Sequence, residues 1–272
     1  MSQRPSFFRS EGAPEGEVLH PHPSAASNWG RDHMRGPAIT ALLARAVERV
    51  TYVWQELRPA RATFELFRPA RMLPSTTKTR IVRQGRRLAL VDSALVQDCR
   101  VVARAQVLLI RSVATDASPI WKPAATYDPP PVHLLPDPSG QLYSSGNGKW
   151  TSNAQDHDNG LRKQVWQVPS PVVEGEWPSA FVSVAAFSDV ANLVVNWGER
   201  GIEYINVDVT LSMARLPEPT GIGLAARERW EDSGVAVGSA VLFDRSGGFG
   251  SASVSALTNA HKSIAVGTAL PS

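Results

Sequence analysis

The first strong pattern along the chain is helical. From Gly36 onward, Ile39, Leu42, Leu43, Ala46, Val47 and Val50 recur at i, i+3, i+4 spacing, with Arg45, Glu48 and Arg49 on the other face. Pro37 suits the first helical turn, where a missing N–H costs nothing. The period then shortens. Residues 62–68, 76–83, 88–96 and 101–110 read as strands, separated by the turn signals Gln84-Gly85-Arg86 and Gln97-Asp98-Cys99. Turns this short join antiparallel hairpins. The first half is therefore expected to be one helix followed by an antiparallel meander.

Between Ser112 and about Gly160 the pattern stops. Seven prolines fall there, including Pro129-Pro130-Pro131, which predicts a linker or a crossover arm. Residues 161–168 read as a short strand. The almost wholly apolar run 181–195 is too long for a strand and predicts a buried helix. Strands are expected at 203–214, 221–230, 235–243 and 250–258. In 221–230, Ile222, Leu224, Ala226 and Trp230 lie on one face and Arg227 and Arg229 on the other.

The two halves can be laid on one another. Thr63–Arg68 falls on Thr210–Arg215, Asp92–Leu95 on Gly238–Val241, and Asp98 on Asp244, at an offset of 146–147 residues throughout. The organisation predicted is an N-terminal domain 1–112, a Pro-rich linker 113–160 and a C-terminal domain 161–272. The fold class is α+β: each half is a long helix wrapped by an antiparallel sheet, present twice. That is the tandem (double) hotdog pattern, in which the two units pair edge to edge and cover each other's exposed strands.

Composition narrows the chemistry. With 43% apolar and 19% charged residues, the balance is that of an ordinary globular chain. No window approaches the roughly 20 apolar residues of a membrane helix, and Met1–Gly16 has no apolar core of a secretory signal. A single cysteine, Cys99, rules out an intrachain disulfide. A cytoplasmic location is expected. The histidines have no zinc-type spacing, and no basic run is interleaved with aromatics as in a nucleic-acid surface. No Gly-x-Ser-x-Gly elbow is present, and Gly247-Gly248-Phe249-Gly250 reads as a hairpin turn rather than a phosphate cradle.

Several segments carry a family resemblance. They are His33-Met-Arg-Gly-Pro-Ala-Ile-Thr-Ala-Leu-Leu-Ala-Arg45 at the first helix, Phe67-Arg68-Pro69 at a strand end, Ser188-Asp189-Val190-Ala191-Asn192 on the second helix, and Ile205-Asn206-Val207-Asp208 with Arg215 beyond it. In order and spacing, over roughly residues 30–112 and 161–258, the chain resembles the double-hotdog acyl-CoA thioesterases of the thioesterase II (TesB-like) family, in particular its actinobacterial thioesterase-like branch. The resemblance implies hydrolysis of an acyl-CoA or acyl-carrier thioester, without metal or other cofactor, by a homodimer or larger assembly. In such enzymes a helix Asp, a strand Thr and a Gln on the last strand hold the attacking water. These positions fall on Asp189, on Asn206 and on Val254 or, one residue along, Ser255. Val254 departs from the pattern, because its side chain cannot bind water.

The residues themselves also point to Asp189. Its neighbours are Val, Ala, Phe and Leu, so it should be partly desolvated, which raises its pKa and its strength as a base. Asn192, one turn on, could orient the carboxylate or the water. The Gly36 end of the first helix could supply oxyanion donors, and His33 could act as an acid. Structural alternatives stand beside each role. Asp189 could be a buried polar residue bonded to backbone or to Asn206, Asn192 and Asn206 could be structural, His33 a cap or surface residue, and Val254 packing. Non-catalytic acyl-thioester binding and enoyl-thioester hydration are the competing functions on the same fold.

Overall fold

The computed structural model describes residues 5–13, 16–113, 118–121, 123, 127–134, 140–146, 148–259 and 263–267. Helix α1 spans Gly36–Thr51. Four strands follow it: β1 (Leu57–Glu65), β2 (Thr76–Gln84), β3 (Leu88–Gln97) and β4 (Arg100–Arg111). After the Pro-rich stretch come β5 (Gln141–Ser145) and β6 (Lys163–Gln167), then helices α2 (Ala180–Ser188) and α3 (Ala191–Asn196). The chain closes with β7 (Tyr204–Asn206), β8 (Asp208–Met213), β9 (Ile222–Asp232), β10 (Val235–Asp244) and β11 (Gly247–Thr258).

These strands form one eleven-stranded sheet in the order β2-β3-β4-β1-β8-β11-β10-β9-β6-β5, with β7 beside β11. Strands β2, β3, β4 and β1 of the first half are mirrored by β9, β10, β11 and β8 of the second. The halves meet where β1 pairs with β8 in antiparallel register, Ala62 opposite Leu211, Thr63 opposite Thr210 and Phe64 opposite Val209. Thr63 and Thr210 are the same position in the two repeats, so the pseudo-twofold axis passes between them. This is the tandem hotdog expected from the sequence, and the repeat offset is the sequence image of that axis.

The alternation of each strand places Phe64, Val91, Val107, Val209, Leu211, Ala240 and Ala252 on the inner face, all essentially fully buried. Each large aliphatic or aromatic side chain buried there contributes about 1.5–3 kcal/mol. Helix α1 packs on β2–β4 and against α2, while α3 lies on β9–β11. Ser179 caps α2, accepting the Val182 N–H at 3.0 Å.

Beyond shifted strand ends and the division of the strand expected at 203–214 into β7 and β8, the structure departs from the sequence reading at two places. The helix expected over 181–195 tightens at its centre. The N–H groups of Val190 and Asn192 reach back three residues, to Phe187 (3.0 Å) and Asp189 (3.2 Å), which separates α2 from α3. The segment read as linker also supplies the edge strand β5. Residues of the same segment cross the outside of the sheet, where Tyr127 stacks on Phe243 (ring centroids 5.3 Å apart) and the Pro130 carbonyl accepts from Arg245 at 2.9 Å.

One ion pair, whose carboxylate is buried and whose Arg215 is about one-third exposed, pins the second repeat. Asp244, fully buried, accepts from Arg215 Nη2 (2.7 Å) and from the backbone N–H groups of Glu218 (3.0 Å) and Ser246 (2.9 Å). Burial alone would raise its pKa, but Arg215 and the two N–H groups outweigh it and hold the carboxyl below its usual range. A depressed carboxylate stabilises the fold above its unfolded pKa, and that contribution is lost as pH falls through the folded value. Removing one partner of such a pair costs about 3–5 kcal/mol. Asp244→Ala is therefore expected to lower Tm by about 10 °C at neutral pH, with the deficit shrinking in acid, as thermal melts across pH will show.

Candidate active site

Asp189 sits in the tightened turn between α2 and α3, which turns its carboxyl toward the start of α1. The approach is so close that a Cβ on Gly36 would collide with Oδ1, Oδ2 and Cγ of Asp189. The φ of Gly36 is not positive, so it is proximity, not backbone conformation, that demands glycine here. Asn206, the last residue of β7, donates from Nδ2 to Asp189 Oδ1 at 2.8 Å. Oδ2 has no hydrogen-bond partner among the described residues, and Asp189 retains some accessible surface.

The electrostatics are opposed. Burial raises the Asp189 pKa above the ordinary carboxylate range, while the Asn206 hydrogen bond and the positive charge of Arg35 pull it down, and burial prevails. The group is thus a stronger base than a surface aspartate. Gly36 opens α1, Pro37 has no N–H, and the Ala38 N–H is turned to the Arg35 carbonyl at 3.1 Å. The Gly36 N–H finds no acceptor among the described residues, so it is the free donor at this helix end.

A cavity of about 870 Å³ opens between the start of α1 and α2; Asp189, Gly36 and Asn206 are not among the residues that line it, although their chain neighbours Arg35, Pro37 and Phe187 are. Arg35 lines it from the residue before α1, Pro37 from the first turn of α1, Ser183, Ala186 and Phe187 from α2, and Tyr143 from β5. The Tyr143 hydroxyl donates to Gln141 Oε1 at 3.0 Å, and Gln141 Nε2 donates to Gln167 Oε1 at 2.8 Å, so a polar ladder runs along one wall. At the rim, the Thr151 hydroxyl lies 3.1 Å from Nε2 of His157, whose Nδ1 lies 3.0 Å from the Ser145 hydroxyl.

Of the residues singled out by sequence, Asp189, Gly36 and Asn206 come together. Asn192 does not join them. Its Nδ2 donates to the Tyr204 carbonyl (3.0 Å) and its Oδ1 accepts from Asn196 (2.9 Å), so it ties α3 to β7 instead of orienting the carboxylate. Ser255 is bound to Asp208 through its N–H (2.6 Å) and hydroxyl (3.2 Å). Val254 is buried in the core. His33 is partly exposed, with Nε2 3.7 Å from Asp32, and does not line the cavity. Arg35, Tyr143, Gln141 and Gln167 were missed. Only the position of Arg35, directly before Gly36, gave any sequence signal.

The sequence family described as the acyl-CoA thioesterase N-terminal domain matches residues 25–110, and that described as the acyl-CoA thioesterase C-terminal domain matches residues 123–253. The chain belongs to the acyl-CoA thioesterase family. Solved structures agree on the architecture of this thioesterase-family member. A tesB protein from Mycobacterium avium subsp. paratuberculosis superposes with TM-score 0.64 at 15% identity, covering 92% of this chain and 95% of the other. A hot dog fold protein of unknown function from Alicyclobacillus acidocaldarius gives 0.66 at 15%, covering 92% and 96%. The acyl-CoA thioesterase II TesB2 of Mycobacterium marinum gives 0.59 at 15%, covering 82% and 90%. At these identities the likeness is one of fold. No curated protein sequence matches the chain. No helix among the described residues is long and apolar enough to cross a membrane.

Proposed function

We propose that the chain hydrolyses acyl-CoA thioesters, with Asp189 as the general base that activates water. The observation supporting this most strongly is the position of the Asp189 carboxyl against Gly36, with Asn206 holding Oδ1 and Oδ2 left open. A water at Oδ2 gives its proton to the carboxylate as its oxygen bonds to the thioester carbon. The carbonyl oxygen takes up negative charge and accepts from the Gly36 N–H at the positive end of α1. Collapse of the adduct breaks the C–S bond, and Asp189 returns the proton to the leaving sulfur. A carboxylic acid and a thiol result.

Incubation with a panel of acyl-CoAs and a thiol-reactive dye tests this directly: steady thiol release is expected. Binding without thiol release would point instead to an acyl-thioester carrier or sensor, a reading favoured only by Val254 standing where the family's Gln would be. Enoyl-thioester hydration is poorly served, because no histidine hydrogen-bonds Asp189 among the described residues.

Asn206 should matter twice over. A hydrogen bond to a charged group contributes about 1.5–3 kcal/mol, so Asn206→Ala is expected to lower kcat by about ten- to a hundredfold. Because that bond favours the ionised carboxyl, its loss should also move the acid limb of the rate profile to higher pH. A fall in kcat with no movement of the limb would mean that Asn206 acts on something other than Asp189.

A further inference from the structure

Arg35 takes no part in the proposed proton transfer. It is one of the residues that line the cavity, and its guanidinium charge acts on Asp189. Protein surrounds the guanidinium closely enough to lower its pKa by desolvation, while Asp189 and Tyr143 act in the opposite direction through their charge. As a residue Arg35 is solvent-exposed, so water reaches its guanidinium. Among the described residues it makes no hydrogen bond and no ion pair within 4.0 Å. Five N–H donors of a permanently charged group thus face a cavity without a protein acceptor. Among the described residues no aspartate or glutamate lines this cavity, Asp189 included.

We infer that Arg35 is a specificity residue that receives a carboxylate borne by the acyl group, so that the preferred substrates are CoA monothioesters of dicarboxylic acids. This rests on the thioesterase reading and adds the class of acyl group to it. The guanidinium fork matches a carboxylate in bidentate geometry. The lining carries Gln141, Gln167, Tyr143 and Ser183 beside the apolar Phe7, Leu142, Phe187 and Ile222, so polar partners for a carboxylate stand next to a surface that takes the methylenes. The diphosphate of CoA does not fit this role. Arg35 directly precedes Gly36, where the thioester carbon must sit, whereas the whole pantetheine arm separates the sulfur from the phosphates. The products of the reaction are the free dicarboxylate and CoA thiol.

The test compares length-matched pairs on the full chain: glutaryl- with pentanoyl-CoA, adipoyl- with hexanoyl-CoA, and suberoyl- with octanoyl-CoA. Wild-type kcat/KM should favour the diacid by about ten- to a hundredfold in the pair whose reach fits, the value of one charge-assisted contact. In Arg35→Met that ratio should fall to about one or below, whatever factor is common to both members, and Arg35→Lys should restore part of it. A common factor arises if Arg35 merely supports Asp189, and the ratio cancels it. A wild-type preference for the uncharged acyl group in every pair, or a ratio that Arg35→Met leaves unchanged, overturns the assignment. If no thioester is hydrolysed at all, the hydrolase reading fails by itself. The anion site is then judged by calorimetric Kd for the same pairs, tighter diacid binding supporting it and equal binding overturning it.

Discussion

Asp189→Asn is expected to lose nearly all thioester hydrolysis and yet to unfold at a higher temperature than the wild type. The loss should be about 10²- to 10⁴-fold in kcat, the range contributed by a positioned general base, because an amide cannot take the proton from water. The gain in stability follows from the sign of the pKa shift. Burial holds the folded-state pKa of Asp189 above its usual value. A raised carboxyl stabilises the fold below the unfolded pKa of about 3.9, and that contribution is lost as pH rises through the folded value. At neutral pH the ionised group therefore costs stability. Asparagine removes the charge and can still accept the Asn206 hydrogen bond. A gain on the order of 1 kcal/mol is expected, the common size of a single stabilising substitution, which is a Tm rise of about 2–4 °C in a chain of this size. An inactive variant that melted well below the wild type would show that the carboxylate is structural.

Gly36→Ala should be almost as damaging to turnover, although it adds only a methyl group. That methyl would overlap all three atoms of the Asp189 carboxyl. The carboxyl cannot stay where it is, and Asn206 holds it from the other side at 2.8 Å. A displacement of about 1 Å from reacting geometry costs on the order of 10²-fold in rate. The fold should suffer little, since alanine favours a helix over glycine by about 1 kcal/mol, which offsets part of the crowding. The expected result is a kcat reduced roughly a hundredfold with near-normal circular dichroism and Tm. Full activity in the alanine variant would mean that Gly36 and Asp189 do not share a site during turnover.

Much of the architecture was legible because local period and burial coincide. Strands β3 and β10 alternate cleanly, and both fill one face of the core. The repeat offset could be read because the same positions of the two halves meet at the pseudo-twofold axis, Thr63 against Thr210. Strand β5 was not legible. Its five residues, Gln141–Ser145, are mostly polar, and they are buried by β6 and the 151 loop rather than by any pattern of their own. The division of the second helix was hidden for a related reason: a run of apolar residues reports burial but not where the hydrogen bonds tighten.

The site was half legible. Asp189 stands out as a charge in an apolar run, and Gly36 as a glycine at a helix start. Sequence spacing placed Asn192 and Ser255 near the carboxylate without showing their other partners, Tyr204 with Asn196 for the one and Asp208 for the other. Arg35 was invisible as a binding group, since the polar residues that share its cavity, Gln141, Tyr143, Gln167 and Ser183, lie more than a hundred positions away.

The sharpest single measurement is the dependence of wild-type kcat/KM on pH with one acyl-CoA. Activity should fall in acid along a limb of slope one whose midpoint lies above the ordinary aspartate value of about 3.9, because the lone base must be ionised and its burial resists ionisation. A rate that stays level through that range, or a limb at or below the ordinary value, would mean that water is activated by some other group.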